Sequence, residues 1–187
     1  VRSPELFRSC SMLAIAPVKR LPAALLKVPE QLLRSGYMGF FQLPLVPEWL
    51  LRRNGLAGVK WVWRRWSPGW DPADHLDEAY RTLAQPGVLT AALGWYRHLP
   101  RVWTGSNRQA RSWLASPARV PTMVLLGMQD GCMSHRLIDD NINLKDFPAG
   151  LRVEKIAGVG HFLHLEKPER INDLLLAHLR QYSGDCN

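Results

Sequence analysis

Two short runs decide the fold class of this chain: Thr122-Met-Val-Leu-Leu-Gly127 and Leu151-Arg-Val-Glu-Lys-Ile-Ala157. Each run is closed by a glycine, Gly127 for the first and Gly158 for the second, and both have the length of a strand. They begin about 30 residues apart, and the stretch between them has a helical pattern over 134–145. A strand, a helix and a second strand at this spacing predict a βαβ unit and therefore a parallel sheet.

A third apolar run and a C-terminal helix extend this sheet. The run over 11–16 is ended by Pro17 and predicts a further buried strand. Near the C-terminus, apolar residues recur at helical spacing, with Pro168 in the first turn and Gly184 after the end. That face consists of Ile171, Leu174, Leu175, His178, Leu179 and Tyr182. We therefore expect this helix to cover one side of the sheet.

About a hundred residues between the first two strands have no strand pattern. They favour a short helix over 47–54 that stops at Gly55, a second helix opened by Asp71-Pro72, and a third over 88–99. An all-helical insertion at this point predicts a lid above the carboxyl ends of the strands, where ligands of α/β sheets bind.

The predicted fold class is α/β, with three parallel strands, their helices and an inserted all-helical cap. We expect three regions in the chain. Residues 1–20 hold the first strand and the entry to the cap, 21–115 form the cap, and 116–187 form the C-terminal core.

Composition supports a globular domain and leaves one alternative open. The chain has 187 residues, of which 47% are hydrophobic and 21% charged, which excludes a disordered tail, a coiled coil and a collagen-like rod.

The net charge of +8 and eight tryptophans indicate nucleic-acid binding as an alternative function. Its strongest support is the interleaving of Arg52, Arg53, Lys60, Arg64 and Arg65 with Trp61, Trp63, Trp66 and Trp70. We favour instead an Arg-rich cap surface with inward-facing tryptophans, because no nucleic-acid-binding fold motif occurs and no specific nucleic-acid partner is expected.

The three cysteines, Cys10, Cys132 and Cys186, are too widely spaced for a zinc knuckle or a disulfide framework. We predict free thiols, no metal, no cofactor and a reducing, cytoplasmic setting.

No apolar run is long enough to predict a membrane span, and the N-terminal residues do not have the order of a secretory signal. The first residues, Val-Arg-Ser-Pro, lack an initiator Met, and we interpret them as the interior of a longer protein.

Two candidate catalytic residues follow the predicted strands. Asp130 lies just beyond the second of them, and His161 just beyond the third. Because the carboxyl ends of parallel strands share one sheet edge, both side chains are expected at that edge. An acid there can hold the tautomer of a histidine and stabilise its imidazolium. Gly158 and Gly160 permit the sharp turn that exposes His161, and the chain order, acid before base, is that of α/β-hydrolases.

These residues lie in segments that resemble a known family. The segments 120–130 and 158–169 look like the last two core strands of an α/β-hydrolase with their loops. In the cap, the segment Tyr37-Met-Gly-Phe-Phe-Gln-Leu-Pro44 is similar to the Tyr-x-x-x-Phe-Gln-x-Pro segment of epoxide hydrolases. Leu93-Gly-Trp-Tyr-Arg97 is similar to their Asn-Trp-Tyr-Arg segment, with Gly94 in place of the Asn. The resemblance runs from about Pro4 to Leu179 in the order of the family.

The resemblance implies roles for four residues. Tyr37 and Tyr96 would donate hydrogen bonds to the epoxide oxygen of a small apolar substrate, where two phenols in a dry pocket stabilise the developing alkoxide. In the family an Asp nucleophile forms an alkyl-enzyme ester with the substrate. His161 would activate the water that hydrolyses this ester, and Asp130 would be the partner of His161.

The nucleophile itself does not occur among the 187 residues. Neither Gly-x-Ser-x-Gly nor Gly-x-Asp-x-Gly is present, and a His-Gly oxyanion loop is also missing. By resemblance the chain corresponds to the C-terminal part of the hydrolase domain with its cap, so an N-terminal half carrying the nucleophile is a possible partner. We expect no efficient epoxide hydrolysis by this chain alone. The sequence therefore does not decide whether the chain is itself an enzyme. An esterase, a dehalogenase and a non-catalytic truncated remnant remain alternatives, and Cys132 has no motif of a thiol nucleophile.

Overall fold

The computed structural model describes residues 3–17, 19, 21–103 and 108–184, and in them one parallel sheet. Its strands are β1 (Cys10–Leu13), β2 (Thr122–Gly127) and β3 (Leu151–Ile156), in the order β1-β2-β3. Thr122 is the register partner of both Cys10 and Leu151. The predicted α/β class with parallel strands is confirmed. The first strand is shorter than predicted, because Ala14 has a φ of 52° and ends the extended backbone.

The described residues also form ten α-helices, which divide between the cap region and the C-terminal core. Those of the cap region and its entry are α1 (Leu21–Lys27), α2 (Pro29–Arg34), α3 (Gly36–Phe40), α4 (Val46–Trp66), α5 (Ala73–Leu83), α6 (Val88–Trp103) and α7 (Arg108–Ala115). Those of the C-terminal core are α8 (His135–Asn141), α9 (Leu163–Glu166) and α10 (Pro168–Gln181). A short 3-10 turn, Leu144–Asp146, completes the predicted helical stretch between β2 and β3.

The central strand β2 is buried along its whole length, and its side chains alternate between two cores. Met123 and Leu125 pack with Ile171 and Leu174 of α10 on one face. Val124 and Leu126 pack on the other face with a second group, which includes Val28, Leu137 and Ile138. Burial on both faces explains why this strand is a continuous apolar run rather than an alternating one.

The last helix, α10, begins at Pro168 as predicted, and Gly184 follows its end with a φ of 59°. Ile171, Leu174 and His178 are buried on its inner face. The prediction for Leu179 is wrong, because this side chain is 51% exposed. Eight residues after Ile171 at 100° per residue, Leu179 lies at the edge of the apolar stripe, where the sheet no longer covers it.

The cap has an apolar core of its own, formed by Phe41, Leu51, Leu56, Val59, Leu89 and Leu93. Helix α4 is interrupted at Arg53–Leu56, and the predicted stop at Gly55 is confirmed by its φ of 63°. The chain then resumes the helix as far as Trp66, which the sequence did not predict. Helix α6 likewise continues beyond the predicted end at residue 99, through Pro100. Across the described ranges no helix is both long and apolar enough to cross a bilayer.

Candidate active site

Asp130 and His161 form a hydrogen-bonded pair at the carboxyl edge of the sheet. His161 Nδ1 donates to Asp130 Oδ2 at 2.9 Å, and Asp130 is only 4% exposed. The second carboxylate oxygen, Oδ1, accepts from the backbone amides of Cys132 and Met133 at 2.7 and 2.8 Å. The carboxylate is therefore fully engaged, and Nε2 is the ring nitrogen of His161 that is not committed to the acid.

The loop that carries Asp130 is also held from α2. Gln31 is 2% exposed, and its Nε2 donates to the carbonyl oxygen of Cys132 at 2.8 Å while its Oε1 accepts from the amide of Ser134 at 2.8 Å. The guanidinium of Arg34 donates to the carbonyl oxygen of Asp130. These contacts fix the backbone on both sides of the acid. They join α2 to a loop about a hundred residues away, so no local pattern indicates them.

The C-terminal end of α4 lies between the two loops that carry Asp130 and His161. The carbonyl oxygen of Trp66 accepts from the amide of Gly131 at 2.9 Å and from the amide of His161 at 3.1 Å. A Cβ on Gly131 would meet the carbonyl oxygen of Arg65 at 2.0 Å, so only glycine allows this approach. Gly158, with a φ of 72°, supplies the predicted turn before His161.

Tyr37 and Tyr96 come together above this edge. Their ring centroids are 5.6 Å apart in an edge-on arrangement, and the Tyr37 hydroxyl lies 3.5 Å from Cys132 Sγ. Burial raises the pKa of Tyr37, and the nearby Cys132 adds to this effect. Burial also raises the pKa of Tyr96. Both phenols are therefore protonated at neutral pH, which is the form that donates a hydrogen bond.

The ring of Trp66 packs against both Tyr37 and His161. Its ring centroid lies 5.1 Å from that of Tyr37 and 5.0 Å from that of His161. Trp63 packs on Phe162, the residue after His161, with 4.6 Å between ring centroids. These aromatic rings pack around the imidazole of His161, whose side chain remains 20% exposed. The inward-facing position of Trp66 agrees with the interpretation favoured from the sequence, which did not identify its ring partners.

The two cap segments that carry the tyrosines are joined directly. Gln42 Nε2 donates to the carbonyl oxygen of Tyr96 at 3.0 Å. Arg97 donates to the carbonyl oxygens of Phe41 and Leu43 at 2.9 and 2.8 Å, and to both carboxylate oxygens of Glu48 at 2.5 and 2.9 Å. The Arg97 guanidinium lowers the pKa of the Glu48 carboxyl below its usual range. Gln42 and Arg97 are residues of the cap motifs to which the sequence gave no role.

Asp130, Cys132 and His161 offer one ligand atom each within 4.8 Å of one another, which is a donor set that could hold a metal ion. The hydrogen bonds already described satisfy the carboxylate, however, and a metal-binding thiol must be a thiolate. Burial raises the pKa of the Cys132 thiol to about 12, so the thiol is neutral at pH 7. The arrangement therefore favours a packed thiol over a metal ligand or a nucleophile. Cys10 is also a free thiol, and Cys186 lies outside the described residues.

Two further histidines, His164 and His98, lie on α9 just after His161 and on α6 of the cap. His164 has a lowered pKa because of partial burial and of the neighbouring His161. On α6, His98 is exposed, and its Nδ1 is 2.7 Å from the carbonyl oxygen of Gly94. Neither residue is hydrogen-bonded to Asp130 in the contacts described.

The basic cap surface differs from a base-stacking platform. Trp63, Trp66 and Trp70 pack against other rings of the cap and site, and Trp70 stacks on Trp63 with 6.2 Å between ring centroids. Trp61, by contrast, is 65% exposed, and its face is occupied by the guanidinium of Arg65 at 6.0 Å. Three of the four tryptophans in the interleaved stretch are thus turned into the cap–core junction.

Sequence comparison with known proteins finds relatives that are named as hydrolases. No protein-family profile matches the chain. The AB hydrolase superfamily protein YfhM of Bacillus subtilis is 31% identical over 153 residues, which cover 81% of this chain and 50% of that protein. Epoxide hydrolase 3 of Mus musculus is 27% identical over 157 residues, covering 82% of this chain and 40% of that protein. The chain therefore spans half or less of the length of these two curated relatives.

Solved structures agree on the fold. An epoxide hydrolase of Bacillus megaterium, in complex with an inhibitor, superposes with a TM-score of 0.74 at 20% identity, covering 96% of this chain and 63% of that one. Cfl2 of Burkholderia cenocepacia superposes with a TM-score of 0.71 at 23% identity, covering 95% and 58%. The chain has a partial α/β-hydrolase fold, and its sequence is similar to that of an AB hydrolase superfamily protein and of epoxide hydrolases.

Proposed function

We propose that this chain supplies the acid–base pair and the phenol donors of an epoxide-hydrolysing active site whose nucleophile comes from outside its 187 residues. The observation that carries the proposal is the hydrogen-bonded pair of His161 and Asp130 at the sheet edge that faces the Tyr37–Tyr96 pair. The names of the epoxide hydrolase relatives support the substrate class. The expected partner molecule is a small apolar epoxide.

Ring opening is the step in which the tyrosines act. A carboxylate nucleophile attacks one epoxide carbon and the C–O bond breaks, so negative charge develops on the departing oxygen. The hydroxyls of Tyr37 and Tyr96 are neutral because burial raises the pKa of both, and they donate hydrogen bonds to this oxygen as its charge grows. The oxygen becomes a hydroxyl by taking up a proton, and the product of the step is an alkyl-enzyme ester.

Ester hydrolysis is the step in which the histidine acts. Nε2 of His161 removes a proton from water while the water oxygen attacks the ester carbonyl. Asp130 holds Nδ1 protonated and stabilises the imidazolium that forms, since its carboxylate already accepts from Nδ1 at 2.9 Å. As the intermediate collapses, the imidazolium returns its proton to the departing diol oxygen. The carboxylic acid that is left loses one proton and so regenerates the nucleophile. This proton replaces the one taken up in ring opening, and the net reaction is epoxide plus water to diol.

The free edge of β1 is where we expect the missing part of the hydrolase domain to join. In the described sheet, β1 is hydrogen-bonded to β2 on one side only, so its other edge can pair with a further strand. An N-terminal half carrying the nucleophile would join there, with 21–115 as its cap and 116–187 as the acid–base core. We place the protein in the cytoplasm, where the free thiols Cys10 and Cys132 would stay reduced.

A chimera tests this function. The portion of the Bacillus subtilis relative that this chain does not match is fused ahead of Val1, and diol formation from a small apolar epoxide is measured. We expect turnover by the chimera. The His161→Gln chimera should instead trap about one equivalent of substrate as an ester, which intact-mass spectrometry detects as an added epoxide mass. The matched control, His98→Gln, should turn over normally, because His98 is exposed on the cap.

The same chimera separates the alternatives. A chimera that folds and hydrolyses simple esters but never forms an epoxide adduct would indicate an esterase, and halide release from haloalkanes would indicate a dehalogenase. A folded chimera with none of these activities would support a non-catalytic remnant. Each of these outcomes contradicts the proposal.

A further inference from the structure

Three consecutive backbone amides around His161 are each held by a group outside the immediate turn. The amide of Gly160 donates to Glu166 Oε2 at 2.8 Å, and the amide of Phe162 donates to Ser67 Oγ at 3.1 Å. Between them, the amide of His161 donates to the carbonyl oxygen of Trp66 at 3.1 Å. The backbone that presents the imidazole is therefore fixed at every residue from 160 to 162.

A single hydroxyl completes this arrangement. Ser67 Oγ donates to Glu166 Oε1 at 2.7 Å while it accepts from the amide of Phe162, so both functions of the hydroxyl are used. Ser67 is 0% exposed, and a Cβ on Gly160 would meet its backbone and side chain at 2.5 to 2.9 Å. Because it is enclosed and fully hydrogen-bonded, Ser67 is not available to react with a substrate. Its place in the site is that of a positioning residue.

The two side chains come from different regions. Ser67 directly follows the end of α4, which is the long cap helix, whereas Glu166 is the last residue of α9 in the C-terminal core. Their hydrogen bond spans 99 residues of sequence. The cap is thereby joined to the loop of the histidine through a hydroxyl and a carboxylate, in addition to the Trp66 carbonyl.

We propose that Ser67 and Glu166 form a bridge by which the cap sets the position of the His161 imidazole against Asp130. This inference rests on the proposed function in that it assigns the bridge to the second, ester-hydrolysing step. The bridge orients His161 only through the backbone, so its loss should leave Asp130, Tyr37 and the ring-opening step unaffected. A bridge that served the fold alone would have no such selectivity.

The first test needs no activity. In the 187-residue chain, NMR follows the hydrogen-bonded Nδ1–H resonance of His161 and the hydrogen exchange of the amides of 160–162. Ser67→Ala should broaden or abolish the resonance and speed exchange of these amides about tenfold or more, since it leaves Phe162 and Glu166 without their partner. The amides of Cys132 and Met133, which are held by Asp130, should keep their protection.

Controls and a second variant make the outcome decisive. Glu166→Gln keeps an acceptor for the Gly160 amide but removes the charge, and it should have the same effect in smaller measure. Ser116→Ala removes an exposed hydroxyl that donates to the carbonyl oxygen of Ser112 and should change nothing. If Ser67→Ala does not fold, Glu166→Gln alone decides. An unchanged Nδ1–H resonance with exchange at 160–162 within twofold of wild type overturns the proposal.

The second test uses the chimera. Ser67→Ala should slow the decay of the alkyl-enzyme ester at least tenfold and leave the rate of ester formation within twofold. Equal slowing of both steps would refute the assignment to His161. If the unaltered chimera forms no ester, the proposed function fails, whereas the NMR result still tests the bridge independently.

Discussion

Replacement of Gly127 by alanine is the sharpest single perturbation of this site. Gly127 is the last residue of β2, and a Cβ there would lie 2.1 Å from the carbonyl oxygen of Gly160 and 2.5 Å from that of Val159. Real Cβ atoms essentially never lie within 3.0 Å of a neighbouring atom, so the backbone before His161 must move by about 0.9 Å. The atoms in the way belong to the backbone, so they cannot avoid the added Cβ by a change of side-chain rotamer.

The size of the effect follows from this displacement. The hydrogen bond from His161 to Asp130 measures 2.9 Å, and a shift of about 0.9 Å along it exceeds the range of a hydrogen bond. Crowding of this kind in a packed interior costs about 1–3 kcal/mol in the free energy of unfolding. Gly127→Ala should therefore lower the urea midpoint, measured by tryptophan fluorescence, and should abolish the Nδ1–H resonance of His161.

A second glycine provides the matched control. An added Cβ on Gly39, within α3, would meet nothing within 4 Å, and its φ is not in the left-handed region. Gly39→Ala should leave the resonance intact and change the free energy of unfolding by no more than about 1 kcal/mol, in the stabilising direction. A Gly127→Ala chain with unchanged midpoint and an intact resonance would refute the reasoning.

Three other predictions concern the core, the cap and the buried thiol. Leu125→Ala, at a position that is 0% exposed in the centre of the sheet, should cost about 2–5 kcal/mol in urea unfolding. Leu26→Ala, at an 85% exposed position, should cost no more than about 0.5 kcal/mol, and equal costs would contradict the core described here. Because Arg97 lowers the pKa of Glu48, their pairing stabilises the fold above the ordinary carboxyl pKa and is lost as the pH falls through the lowered value. In the Glu48→Gln variant, the free energy of unfolding should therefore decrease less as the pH is lowered through the acid range. An acid-unfolding profile identical to that of the wild type would argue against the pair. Since burial raises the pKa of Cys132 to about 12, maleimide labelling followed by peptide mass spectrometry should leave it unmodified at pH 7 until urea unfolds the chain.

Local patterns were sufficient for the parallel sheet and for the central pair of the site. Strand length, the helix between β2 and β3 and the stop of α10 are all encoded within windows of a few residues. Asp130 and His161 could be placed together because each follows a strand, and neighbouring parallel strands end at one edge of a sheet. The hydrogen bond between them is a consequence of that topology.

The groups that hold this pair in place could not be predicted in the same way. Gln31 contacts Ser134 across 103 residues, and Ser67 contacts Glu166 across 99. Neither polar residue has a period or a motif that indicates burial, and their partners are defined only once the cap lies on the core. A partial signal did exist for Glu48, because an acid buried on an apolar helix face needs a cation, which here is Arg97.

The second half of α4 shows the same limitation. Gly55 correctly predicts an interruption, yet the helix resumes as far as Trp66 because its tryptophans find aromatic partners that are distant in sequence, such as Phe162. In isolation that stretch has the composition of a basic surface. Tertiary packing converts most of its aromatic residues into the wall of the candidate site.

The fusion of this chain to the portion of the Bacillus subtilis relative that it does not match tests the central claim most directly. With a small apolar epoxide as substrate, we predict diol formation by the fusion, no turnover above background by the 187 residues alone, and an accumulating ester in the His161→Gln fusion. Efficient epoxide hydrolysis by the 187 residues alone, or by a fusion that does not require His161, would contradict the account.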